Sequence, residues 1–509
     1  MVLAAQFTQT RVRNIFLPVL IAIAASVWLL SNLGSCMLWQ DEAQTALLAR
    51  TTLAHGVPIA FDGPNSISQE RGDDYGPHGL WKWHMWLPFY ILAGFFKLFG
   101  QTTAVARLPF ALFGVASVVL SYYTALLLWK DTKSAALTAF LILACIPFAL
   151  LARQCRYYSP SMFFSLLMFD AYLRICQGSK RSWITLWIAG VLSFNSHFLY
   201  CATAWAAIAL HAAIWHRNIW KQLLIAAVIN GVLCLPPVLW LATLNYRNYS
   251  HGGLDTLYIK LQFYMDIKDV FTLIVPYPIL ILPVISIFGH SSNGRRILPR
   301  LADLEPWAWP IFFGCFTLVM SALFSPFPFF RYLGPMIIPL LMLVARMVIR
   351  GFHQHLLIGC PALLLLGLWW PLVDYEFELT HQFRGPTEGI VELLKQQGRP
   401  GDVVITGYED LALKFYTPYR IVGGLTGEDL TPATHARWLI PRHHLLSAVE
   451  IPVNDFMAKQ LSTYHDYQGI VLNVPDTKFE NREEPAQHEY ASPIDYPPVE
   501  VYKRIDPKK

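Results

Sequence analysis

Charge is what this chain has least of. Only 14% of its 509 residues are Asp, Glu, Lys or Arg, whereas 55% are hydrophobic, a balance that excludes an ordinary soluble domain. Lipid must cover much of the surface. The machinery of nucleotide chemistry is also missing. No glycine-rich loop is followed by Lys and Ser or Thr, and Gly423-Gly424 does not make a dinucleotide fingerprint, so no nucleotide cofactor is expected. No aromatic and basic single-strand surface rises above composition, which removes nucleic acid from the expected partners. The eight cysteines run from Cys36 to Cys360, with none in the polar C-terminal region and no zinc-knuckle spacing, so most read as small apolar packing residues.

What is present instead is a series of apolar runs over the first 373 residues, with the charges clustered between them. A spanning helix needs about 20 apolar residues. The candidate spans are 16–33, 106–129, 134–151, 161–174, 183–198, 199–215, 223–244, 270–288, 308–324, 333–349 and 356–370. Basic residues occupy alternating short loops: Lys130 with Lys133, Arg174 with Lys180 and Arg181, Arg217 with Lys221, Arg295 with Arg296 and Arg300, and Arg350. The positive-inside rule assigns these loops, with Arg11 and Arg13, to the cytoplasm. The segment 34–83, the turns around Arg156 and Arg331, the loop 245–269 and everything after Pro371 are then expected outside. Parity closes with eleven spans if 84–100 does not cross, and the expected range is eleven to thirteen. The N-terminus reads as a first span with a basic flank, since no small-residue cleavage site follows a short hydrophobic core.

The expected fold class is therefore mainly α. A polytopic transmembrane helical bundle covers 1–373, including the outer loop 34–83, and a small extracytoplasmic α/β domain covers 374–509. In that domain 403–406, 421–422, 438–440 and 470–474 read as buried strands, and 388–397 and 410–416 as amphipathic helices. From Asp476 onward, repeated proline and charge favour a tail that is poorly ordered or wraps the domain.

The polar interruption 34–83 is the natural place for a site. Asp41 and Glu42 stand just beyond the first run, where a carboxylate can accept a proton from a hydroxyl or can simply favour a helix start. Adjacent carboxylates on a helix point in different directions, so only one is expected to face a reaction while the other caps or binds a cation. Glu70, Asp73 and Asp74, with His84 and His197, could hold a divalent ion, or the loop acids could be solvated. Arg153, Arg156 and Arg331-Tyr332 lie at helix ends, where guanidinium groups can grip a phosphate or snorkel at the membrane border.

Taken as an ordered set, Trp39-Gln40-Asp41-Glu42-Ala43, the 84–100 segment ending Phe96-Lys97-Leu98-Phe99-Gly100, Ala106-Arg107-Leu108-Pro109-Phe110, Arg156-Tyr157-Tyr158 and Arg331-Tyr332-Leu333 resemble the membrane glycosyltransferases of the protein-mannosyltransferase and aminoarabinose-transferase type. The resemblance covers about residues 15 to 375. It implies a helical bundle of the GT-C type, a polyprenyl-phosphate-linked sugar donor and a catalytic acid in the first outer loop, which Asp41 matches. Members often carry His-Pro-Pro or Lys-Pro-Pro, preceded by an acid, where this chain has Trp83-His84-Met85-Trp86, a departure at the family's metal arrangement.

The expected activity is transfer of the sugar to a cell-envelope acceptor (lipid, glycan or protein) by inverting displacement. Asp41 would be the base, with Glu42 beside it. Arg331, Arg156, Arg153 and Tyr332 would bind the donor phosphate, with Lys82, His84 and Tyr157 as further site candidates. A divalent metal ion is a candidate cofactor. Membrane lipid is a partner, and the expected location is a bacterial cytoplasmic membrane with the C-terminal domain in the periplasm or outside. Two other classes stay open: a transporter or flippase for a lipid-linked substrate, which would favour charged or broken helices near mid-membrane, and a non-catalytic scaffold that binds through its outer domain.

Overall fold

A computed structural model describes residues 2–243, 301–324, 329–354, 371–424, 426–442, 451–477, 481–482, 487–491 and 496–505. The expected spans 270–288 and 356–370 and the basic residues Arg295, Arg296 and Arg300 lie outside these residues. The chain is a multi-pass helical membrane protein that carries a C-terminal mixed β-sheet domain.

The bundle begins with α1 (Val2–Leu30), and a shorter pair follows, α2 (Gln40–His55) and α3 (Leu87–Phe99), with the two-residue strands β1 (Phe61–Asp62) and β2 (Asn65–Ser66) between them. Gly56 ends α2 in the left-handed conformation, φ 79°, that a helix stop requires and a side chain resists. Proline in the first turn of α3 suits a helix start, where its missing N–H costs nothing. At 13 residues α3 is about 20 Å long. That falls short of a hydrocarbon core of about 30 Å.

Next come α4 (Thr103–Trp129), α5 (Thr132–Ala144), α6 (Ile146–Arg153), α7 (Tyr158–Cys176), α8 (Ser182–Ser196), α9 (Phe198–Trp215), α10 (Trp220–Leu233) and α11 (Leu235–Leu241). Further on, α12 (Leu301–Phe324) is followed by a 3-10 segment, Phe330–Met336, that leads into α13 (Ile337–Gln354). The expected span 134–151 is not one rod: α5 and α6 meet at 67°. The cause is Pro147 in the first turn of α6, which lacks the N–H that would continue the α5 ladder through Cys145.

Among the described residues four helices are long and apolar enough to cross a membrane, or five if the bent pair counts as one span. The expected range of eleven to thirteen is not tested by these residues alone. Of the other expected spans, 161–174 lies in the 19-residue α7, 16–33, 183–198 and 223–244 fall on shorter apolar helices, and 270–288 and 356–370 lie outside the described residues.

The C-terminal part starts with α14 (Pro371–Thr380), so the expected boundary at 373/374 falls within a helix. After α15 (Pro386–Gln397) the chain alternates β3 (Val403–Thr406), α16 (Asp410–Tyr416), β4 (Arg420–Gly423), β5 (Trp438–Ile440), α17 (Ile451–Thr463), β6 (Tyr467–Pro475) and β7 (Pro498–Arg504). The sheet order is β4-β3-β5-β7-β6, with β3 parallel to β4 and β5, and β7 antiparallel to β5 and β6. Successive strand residues face opposite ways. Val404 and Ile421 accordingly pack with Ile390 and Leu394 of α15, whereas Ile405 and Val422 pack with Val453 and Met457 of α17.

Of the two expectations for the tail, a poorly ordered one and one that wraps the domain, its described residues fit the second: 498–504 form β7, whose Val499 and Val501 are fully buried between two other strands.

A core of special interest joins the two parts. Leu38, Leu47, Ile67, Trp81, Phe89 and Phe110 from the first third of the chain share one apolar cluster with Leu411 and Phe415 of α16. Burial of aromatic and aliphatic side chains at about 25 cal/mol per Å2 makes this seam a packed core.

Candidate active site

Asp41 sits in the first turn of α2. Its Oδ2 accepts from Arg331 Nη1 at 2.5 Å and from Arg156 Nη2 at 3.3 Å, while Oδ1 accepts from Gln69 Nε2 at 3.2 Å. Arg156 is nearly buried and is held by more than this pair. Its Nη1 donates to the Asp41 carbonyl at 2.9 Å, to Gln44 Oε1 at 3.3 Å and to Thr45 Oγ1 at 3.2 Å. Arg331 also reaches the Tyr158 hydroxyl at 3.2 Å, and its guanidinium lies 4.2 Å from the Phe329 ring centre.

Three distant stretches supply the clamp. The α6–α7 turn presents Arg156, the 3-10 segment after α12 presents Arg331, and α2 presents the acid.

The three groups border a cavity of about 180 Å3 that Gln69, Glu70, Trp83, His84, Tyr157 and Tyr332 also line. Larger cavities exist, about 280 Å3 beside Glu378 and His488 and about 450 Å3 beside Arg437 and Arg504. The smaller one is distinguished by a single carboxylate that two guanidinium groups contact at once, whereas beside the 450 Å3 cavity Asp402 meets Arg437 and Arg504 pairs with Asp466 instead.

Burial alone would raise the pKa of Asp41, but the Arg156 and Arg331 charges outweigh it and hold the carboxyl well below the usual range. Glu70 behaves oppositely. Burial, then the charges of Asp74, Asp41 and Asp73, push it up to about 8. Burial and the Arg156 charge hold His84 well below its ordinary value, so the imidazole is neutral. Its Nε2 lies 3.4 Å from Arg156 Nη2, whereas its Nδ1 is buried without a hydrogen-bond partner among the described residues.

With this geometry in view, residues 84–240 match the family described as dolichyl-phosphate-mannose-protein mannosyltransferase. Among solved structures the chain resembles ArnT from Cupriavidus metallidurans bound to undecaprenyl phosphate, at 15% identity and TM-score 0.56, covering 96% of this chain and 99% of that one. It also resembles the oligosaccharyltransferase AglB from Archaeoglobus fulgidus, at 11% identity and TM-score 0.54, covering 91% and 73%. The arabinofuranosyltransferase AftD from Mycobacteria aligns at 12% identity and TM-score 0.54, covering 97% of this chain and 40% of that one. No curated protein matches. What is shared is the fold.

The remaining candidates divide by where their side chains go. Glu42 faces away from the cavity and is fully buried, accepting from Arg107 Nε at 2.9 Å and Nη2 at 2.6 Å, from the Cys155 amide at 2.8 Å and from Asn481 Nδ2 at 3.2 Å. It is the acid that binds a cation, and the cation is Arg107. Arg153 also turns away. Its Nη1 donates to the carbonyls of Ser31 at 2.6 Å and Leu29 at 3.3 Å, and its Nη2 lies 3.6 Å from Glu378. Lys82 does not line the cavity.

The metal candidates do not gather. Asp74 is buried inside its own loop, accepting from Ser68 Oγ at 2.6 Å and the Gln69 amide at 2.8 Å. Asp73 does not line the cavity, and His197 stacks on Tyr157 at 4.4 Å between ring centres. Among the described residues no three His, Cys, Asp or Glu side chains come together as a metal site. Of the metal candidates, only Glu70 and His84 line the cavity.

Sequence reasoning missed Gln69, Gln44, Tyr158 and Phe329 as contacts of the clamp. Each stands one to three residues from a candidate that was named, so proximity along the chain was the available signal.

Proposed function

We propose that this chain transfers a sugar from a polyprenyl-phosphate-linked donor to a cell-envelope acceptor by inverting displacement at the Asp41 cavity. The observation that carries the reading is the clamp itself, a carboxylate contacted by two guanidinium groups at a cavity wall. Base and phosphate binder are then within one contact of each other. That the ArnT structure is described as bound to undecaprenyl phosphate supports a lipid carrier here.

In this mechanism an acceptor hydroxyl bonds to the anomeric carbon from the face opposite the phosphate. The bond from that carbon to the phosphate oxygen breaks, its electron pair leaves with the phosphate, and the hydroxyl proton passes to Asp41. Arg331 and Arg156 stabilise the charge that develops on the departing oxygen, in a site where such preorganised donors act strongly.

The clamp also couples the two steps. While both guanidinium groups face Asp41, the carboxylate is a weak base. A phosphate that engages them divides their charge, and Asp41 becomes more basic when the donor is in place. Tyr332 and Tyr157 shape the wall, and neutral His84 backs Arg156 without competing for the anion. No step runs through Arg153, Lys82 or a metal ion.

Charge alternation along the chain supports an orientation with loop 34–83 and residues 374–509 outside a bacterial cytoplasmic membrane. The test is transfer of labelled sugar in nanodiscs, with polyprenyl-phosphate and nucleotide donors compared. Label should move from the lipid donor alone, and movement from the nucleotide donor alone would refute the reading.

A further inference from the structure

Four residues around Asp41 are gripped by the C-terminal domain. The Met37 amide donates to Glu388 at 2.6 Å and the Leu38 amide to the Tyr416 hydroxyl at 2.9 Å. Gln40 Nε2 donates to Asp410 Oδ1 at 2.8 Å, and Gln40 Oε1 accepts from the Leu411 amide at 3.2 Å. Two residues on, Glu42 accepts from Asn481. The α2 helix has no side-chain cap of its own at Trp39. Its start is thus fastened from outside.

Behind Gln40 lies a buried ion pair. Lys414 Nζ and Asp410 Oδ2 are 2.7 Å apart, with side chains 0% and 1% exposed. The same Nζ donates to the Ser66 carbonyl at 2.7 Å, so the pair ties α2 and the polar loop to one another. Asp410 rests directly on Gly423, where any side chain would overlap it.

Successive helical residues are about 100° apart. Anchoring both Gln40 and Glu42 leaves Asp41 one direction, toward Arg156 and Arg331.

We propose that the C-terminal domain is a working part of the active site, in which Gln40, Asp410, Lys414 and Asn481 are positioning residues that aim Asp41 at the cavity. The inference rests on the reading of Asp41 as the base. A buried ion pair at this point is a poor means of adding stability, because the desolvation of two charges offsets their attraction. It is a good means of fixing one orientation, and misplacement of a reacting group by about 1 Å can cost about a hundredfold in rate.

The test uses the full chain in nanodiscs. Gln40→Met keeps the side-chain volume and removes both hydrogen bonds to the C-terminal domain. Asn481→Ala removes the contact of the C-terminal domain to Glu42, should the first variant fold poorly. On folded protein, kcat should fall about ten- to a hundredfold with the donor KM unchanged, and amide hydrogen exchange over 40–44 should rise. Adding Gln40→Met to Asp41→Asn should cost no further rate, because the group being aimed is gone.

A variant that folds and keeps wild-type kcat overturns the proposal, as does a loss confined to melting temperature. Failure of the base reading is seen separately. There, Asp41→Asn alone would retain its rate, whatever hydrogen exchange reports at the anchors.

Discussion

Asp41 and Glu42 are neighbours of like chemistry, and the protein uses them in opposite ways. Asp41 meets two arginines at a cavity wall, whereas Glu42 meets Arg107, a backbone amide and Asn481 in a seam with no opening. The first arrangement can exchange partners with an arriving anion. The second cannot, because every oxygen contact is internal and Glu42 has no exposed surface. An acid becomes a candidate for catalysis through the partners it is able to release.

The comparison breaks most readily at Glu42. Glu42→Gln leaves Arg107 buried without its counter-charge, a kind of loss that costs about 3–5 kcal/mol of stability. Thermal unfolding in detergent should show that drop, while turnover per folded molecule should fall far less than in Asp41→Asn. Unchanged stability would mean that the Glu42–Arg107 pair is not the fastening inferred here.

Arg331 sharpens the other side. A charge-assisted hydrogen bond is worth about 1.5–3 kcal/mol, so Arg331→Ala should weaken donor binding by about ten- to a hundredfold. Arg331→Lys should recover only part of it, since an ammonium cannot reproduce the paired contacts of a guanidinium. Arg153→Ala should leave donor affinity near wild type, since its guanidinium serves the α1 carbonyls and Glu378.

A separate effect is a pH dependence at Glu70. Its folded-state value of about 8 lies above the ordinary 4.5, so the native protein keeps a proton that the unfolded chain has lost. Stability from this group is full below about 4.5 and is lost as pH rises through about 8. Glu70→Gln removes that loss. Its melting temperature should gain on wild type between those limits and then run parallel, and a difference independent of pH would contradict the assignment.

Much of this contrast was legible before any coordinates. The buried runs of the sheet, the helices around 388–397 and 410–416, and the set Asp41, Arg156, Arg331 and His84 follow from local pattern and from the family resemblance. Arg153 and Arg156 could not be separated in the same way. They stand three residues apart, but Arg153 ends α6 and Arg156 lies in the α6–α7 turn, which sends one toward α1 and the other toward Asp41.

Strand β7 was hidden for a related reason. Its Val499 and Val501 alternate with charged and polar residues after a proline-rich stretch, and only pairing with β5 and β6, far off in sequence, makes them core. The grip on Gln40 by Asp410 spans 370 positions and has no local signature at all.

The most direct test of the central claim is the turnover of Asp41→Asn at saturating polyprenyl-phosphate-linked donor, measured on folded protein in nanodiscs beside wild type. Loss of a positioned general base commonly lowers rate by about 10² to 10⁴, and that loss is predicted here with donor binding retained. A folded Asp41→Asn protein that transfers sugar at the wild-type rate would contradict the account.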